Sequence, residues 1–150
     1  MLGRHALWLA LVAAFAAAGC GGATTPDMPA LVFDGPPALT VPSASGALSI
    51  AVWWSPVQPT VGYDAAQLAI TDATGAPVTG LALTVVPFMP AHGHGASVYP
   101  TISETTPGTY VATPLDFFMA GNWELVTTIA SGSDGGGTID DSAQPTVDVP

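Results

Sequence analysis

Fifteen prolines are spread through this 150-residue chain, and they leave no uninterrupted helical window that also carries a 3.6-residue apolar period. A proline inside a helix removes a hydrogen bond and clashes with the preceding turn, so the chain is pushed toward extended structure. The apolar residues agree. Leu48, Ile50, Val52 and Trp54 fall on one face while Ser49, Ala51 and Trp53 fall on the other, the period-2 pattern of a half-buried strand that Pro56 and Pro59 end. Leu68 and Ile70 alternate with Gln67, Ala69 and Thr71 up to the turn Asp72-Ala73-Thr74-Gly75, and Leu81, Leu83 and Val85 follow. Val98 to Ile102, interrupted by Pro100, reads as a weak edge strand. After the turn Thr105-Thr106-Pro107-Gly108 comes a strand from Thr109 to Thr113, in which Tyr110 has the setting of a tyrosine corner. Trp123, Leu125, Thr127 and Ile129 alternate next, a Gly-rich connection runs from Ser131 to Gly137, and Thr146 to Val149 closes the chain. Short strands with turn signals at about ten-residue spacing predict an all-β fold, an immunoglobulin-like antiparallel β-sandwich of about seven strands. Trp53, Trp54 and Trp123 are expected among its core aromatics.

The first thirty residues read differently. Arg4 and His5 open a short basic start, Ala6 to Ala18 form an apolar run, and small residues follow, the pattern of a secretory leader. That run is short for a membrane span. Ala17-Ala18-Gly19-Cys20 resembles the lipobox of bacterial lipoproteins, which implies cleavage before Cys20 and acylation of its sulfur; Ala16-Ala17-Ala18 would also suit an ordinary signal peptidase cutting before Gly19. The expected organisation is a leader at 1–19, a lipidated Cys20 with a Gly/Thr/Pro-rich tether at 20–30, and one β domain at 31–150. By resemblance to Gram-negative lipoproteins, Gly21 after the cysteine implies sorting to the outer membrane, facing the periplasm. With Cys20 the only cysteine, no intramolecular disulfide can form.

Charge excludes further classes. Eleven Asp and Glu stand against one basic residue, Arg4, which the leader would take away. Nothing is then left to neutralise phosphates, which argues against nucleic-acid binding and against anionic membranes, so the membrane enters only through the lipid anchor. One sign of charge favours small cations.

The stretch Phe88-Met89-Pro90-Ala91-His92-Gly93-His94-Gly95 gathers two imidazoles and a thioether. In extended backbone a His-x-His pair points both rings to one side, where a single ion can join them, while Gly93, Gly95 and Pro90 allow a shaped loop. The alternative reading is a plain Gly/Pro/His surface connection.

Four motifs in order carry a family resemblance: Asp72-Ala73-Thr74-Gly75-Ala76-Pro77-Val78, then Met89-Pro90-Ala91-His92-Gly93-His94-Gly95, then Pro107-Gly108-Thr109-Tyr110, then Phe117-Phe118-Met119-Ala120-Gly121-Asn122-Trp123. Over about Leu48 to Ile129 the chain resembles the YtkA-like group of bacterial envelope domains, related to the FixH type. The resemblance implies a β-sandwich outside the cytoplasm associated with metal, chiefly copper, handling; His92 stands where a second Met of the Met-Pro segment is usual. Met89, His92, His94 and Met119 form a soft-to-borderline donor set that suits Cu(I), with Cu(II) possible through the histidines. Met119, between Phe118 and Trp123, also reads as a core or turn filler. Asp134, Asp140 and Asp141 lack calcium-loop spacing. No nucleophile turn or nucleotide loop appears, and the adjacent Asp140 and Asp141 would face opposite ways, so an enzyme is not expected. Two functions remain: an envelope module that binds or passes a copper-class ion, and a non-metal structural module that docks an envelope protein.

Overall fold

The computed structural model describes residues 30–132 and 138–150. The leader, Cys20 and most of the tether, together with Asp134 and most of the Gly-rich connection, lie outside the described residues. The strands are β1 (Leu39–Pro42), β2 (Leu48–Ser55), β3 (Gly62–Asp72), β4 (Leu81–Met89), β5 (His94–Gly95), β6 (Thr101–Thr106), β7 (Thr109–Phe117), β8 (Gly121–Ser131), β9 (Asp140–Ala143) and β10 (Thr146–Val149). There is no helix among the described residues. All pairings are antiparallel and form two sheets, one ordered β1-β2-β3-β7-β6 and the other β10-β8-β4-β5 with β9 also on β8.

The seven strands expected from alternation are all present, and the three further ones, β1, β5 and β9, are two to four residues long. β1 alternates, with Leu39 and Val41 partly buried and Thr40 and Pro42 exposed, but over only four residues. β6 starts at Thr101 instead of Val98, because Pro100 has no N–H to offer a ladder; it is an edge strand as expected. Leu48, Ile50, Val52 and Trp54 of β2, Leu68 and Ile70 of β3, and Trp123, Leu125 and Ile129 of β8 are buried in one core between the sheets. Trp53 is a correction: it sits on the outer face of β2, half-buried, and its indole N–H donates to the carbonyl of Gly35 at 3.0 Å. The N-terminal segment, not the core, covers it.

β9 and β10 are one path along β8 broken at Gln144-Pro145, where the Leu125 N–H still finds the carbonyl of Pro145 at 2.8 Å. The β1–β2 corner crosses over to this strand. Ala44 donates its N–H to Ser142 at 2.7 Å, and Asp141 accepts from the N–H and hydroxyl of Ser45. A side-chain hydrogen bond from Ser43, together with these from Ser45, holds the Asp141 carboxyl well below the usual carboxylate range.

At one end of the sandwich, two of the sequence motifs turn out to be a single lock. Asp72 accepts the N–H groups of Thr74 and Ala76 and the Thr74 hydroxyl, which shapes the β3–β4 turn. Gly108, at φ 72°, lies so close to Pro77 that an added Cβ would stand 2.6 Å from the proline Cβ. Buried Tyr110 then donates its hydroxyl to the Val78 carbonyl at 2.9 Å and accepts the Leu81 N–H at 3.1 Å. The expected tyrosine corner is therefore a bond between sheets, from β7 to the start of β4. Glu104 on β6 closes the same end by accepting the N–H groups of Gly108 and Gly80, bonds that lower its pKa.

Candidate metal centre

β4 carries the chain from the tyrosine lock to the other end of the sandwich, about 27 Å away at a strand's rise per residue. There Pro90 to Gly93 reverse it into β5, with the N–H groups of His92 and Gly93 both donating to the Met89 carbonyl at 3.1 and 3.0 Å. Gly93 has φ 68°, a left-handed conformation that favours glycine. The His-x-His backbone is thus a tight turn, not the extended path that alternation assumed. The rings nonetheless converge: their centroids are 5.6 Å apart, tilted by 39°, and both side chains are exposed. An ion about 2.0–2.1 Å from one nitrogen of each ring lies roughly 3 Å from each ring centre, so rings it joins are no more than about 6 Å apart. The pair meets that test.

The two methionines sit otherwise. Met89 is directly opposite His94 across the β4–β5 pair, but it is 1% exposed and belongs to the core. Its Cε lies beneath Gly121, 2.9 Å from where a Cβ would be. Met119 is half-buried and packs on the same core, and its carbonyl accepts the indole N–H of Trp123 at 3.0 Å. The Met-Pro-His segment and the Phe117–Trp123 segment are therefore packed together, as a second lock opposite the tyrosine one. Among the described residues no group of three or more His, Cys, Asp or Glu converges. The imidazole pair is what the structure offers an ion.

Phe118 joins this centre without having been singled out beforehand. It stacks on His94 with centroids 5.4 Å apart at 28°, and meets Trp123 edge-on at 5.1 Å. The signal was present in the Phe117-Phe118 pair: adjacent residues in extended backbone face opposite ways, so one ring fills the core and the other stands outside. Phe117 is 0% exposed and Phe118 44%.

Exposed large apolar side chains gather at this end. Val57 and Val61 lie in the β2–β3 connection, Tyr63 begins β3, Tyr99 precedes β6, and Leu31 and Val32 enter beside Ser55, whose hydroxyl accepts the Val32 N–H at 3.0 Å. The tyrosine end has none of them among the described residues.

No functionally curated protein matches the chain. A solved structure of a copper-bound variant of FetP from uropathogenic Escherichia coli strain F11 is similar over 76% of this chain and 89% of that one, with TM-score 0.48 and 11% identity. A DUF4426 family protein from Pseudomonas aeruginosa PAO1 is similar over 70% and 94%, with TM-score 0.41 and 16% identity. The profile of the YtkA-like family matches residues 44–128. That span runs from the β1–β2 corner through both locks and the histidine turn into β8, and on it the chain belongs to the YtkA-like family.

Proposed function

We propose that this chain is a lipid-anchored module of the bacterial envelope, attached through Cys20, that binds or passes a copper-class ion at His92 and His94. The observation that carries the reading is the 5.6 Å approach of two exposed imidazoles on one turn. Neutral imidazole nitrogen suits Cu(II), and the all-acidic charge beyond Arg4 raises the local concentration of cations. Phe118 holds the His94 ring in place and shields one of its faces. Met89 and Met119 lie behind the pair as packing. The domain binds and hands over; it performs no bond-breaking chemistry.

The experiment is a competition titration of wild type and of the His92→Ala, His94→Ala double variant with Cu(II), and with Cu(I) under anaerobic reducing conditions. Wild type binds stoichiometrically and the double variant does not. Equal weak binding by both would remove the ion from the function and leave a docking module for an envelope protein, the reading that the exposed apolar residues at this end favour.

A further inference from the structure

We propose that a second copy of this chain completes the ion site, with His92 and His94 of each copy placing four imidazoles around one ion as the two histidine ends meet. The inference rests on the ion-binding reading and goes beyond it to name the partner.

A ligand deficit motivates it. Zn(II) takes four ligands, and Cu(II) prefers a tetragonal arrangement of nitrogen and oxygen donors. One chain supplies two imidazoles, and no third His, Cys, Asp or Glu converges among the described residues. Met89 cannot make up the number from a position 1% exposed beneath Gly121. Both rings, however, stand exposed at the extremity of the sandwich, where another molecule can reach them.

The surroundings fit a self-complementary contact. In a two-fold pair each patch meets its own copy, so a patch that is apolar around its ligands needs no different partner surface. Val57 at 70% exposure, Tyr99 at 71%, Val61 at 51% and Phe118 at 44% share this end with the histidines. Charge then makes the pairing conditional. Acidic side chains meet no Lys or Arg anywhere beyond Arg4, so two copies repel until an ion brings positive charge to the contact. Added salt screens that repulsion and should strengthen the pair, the reverse of its effect on contacts held by opposite charges.

Sedimentation of the mature chain in density-matched detergent, alone and with Zn(II) or Cu(II), tests this together with ion stoichiometry. The expected result is a doubling of mass with one ion per two chains, reversal by a chelator, and tighter pairing at about 0.15 M than at about 0.01 M salt. The His92→Ala, His94→Ala variant stays single, and Val57→Ser with Tyr99→Ser pairs at least tenfold more weakly. One ion per chain with unchanged mass would overturn the pairing and leave the ion site standing. No stoichiometric binding by wild type would overturn both. Pairs that persist in chelator and in the double His variant would overturn the ion as the bridge.

Discussion

Replacing Tyr110 by Phe removes one oxygen from a residue that is 2% exposed, and that oxygen serves two backbone groups, the Leu81 N–H at the start of β4 on the opposite sheet and the Val78 carbonyl in the β3–β4 connection. The Leu81 N–H and the Val78 carbonyl lose their partner together. Each orphaned buried group costs about 1–3 kcal/mol, and because both sites are only part-buried the low end of that range applies, about 1–1.5 kcal/mol for each, so the loss is about 2–3 kcal/mol. For a β domain of this size one kcal/mol shifts Tm by roughly 3–5 °C, so the variant should melt about 6–15 °C below wild type. Urea and thermal denaturation measure it, with Tyr63→Phe, 44% exposed, as the comparison expected to stay within about 0.5 kcal/mol. Hydrogen exchange adds a local readout, since the Leu81 amide should lose protection before the centre of β4 does. A Tyr110→Phe loss below about 0.5 kcal/mol would show that the hydroxyl does not hold the sheets together.

Two further outcomes concern the same fold. Gly75 and Gly108 have similar backbones, φ 85° and 72°, but only Gly108 has a neighbour in the way of a Cβ; Gly75→Ala should cost about 1–2 kcal/mol from the backbone alone, and Gly108→Ala clearly more. Equal losses in parallel urea titrations would dismiss the Pro77 contact. Asp64 is 1% exposed in the bulge of β3, accepts the Thr60 N–H at 2.8 Å, and has its pKa raised by burial. A raised folded value means that the group's stabilising contribution is full below the unfolded pKa and is lost as pH rises through the folded one. Asp64→Asn, which keeps the acceptor, should therefore raise Tm at pH 7 and change it much less near pH 3. Equal shifts at the two pH values, measured by scanning calorimetry, would contradict the burial argument.

Period-2 alternation was enough to find the sandwich, because Leu48, Ile50, Val52 and Trp54 or Trp123, Leu125, Thr127 and Ile129 can be buried together in only one kind of backbone. It could not find β1, β5 or β9, whose two to four residues owe their extension to a neighbour's ladder. At the candidate site, the proximity of His92 to His94 was legible and its cause was not: the left-handed Gly93 brings the rings together in a turn. The thioether of Met89 looked like a ligand from its spacing. Its burial depends on Gly121, thirty-two residues later, and that distance in sequence hides the contact. The tyrosine lock was half-visible, since Tyr110 announced a backbone bond without saying which strand would receive it.

The break at Pro145 bears on how such a chain avoids stacking strand on strand with its copies. An outer strand with a continuous row of free amides and carbonyls would invite another strand and lead to fibrils. Along β9 and β10 the proline supplies no amide, and the carbonyl of Ser142 is already taken by Ala44. On the other sheet one of the two outer strands, β6, shows Thr, Ser and Glu to solvent. With these two edges made poor templates for open-ended strand addition, the proposed contact at the tip, which closes on itself and stops, meets less competition there.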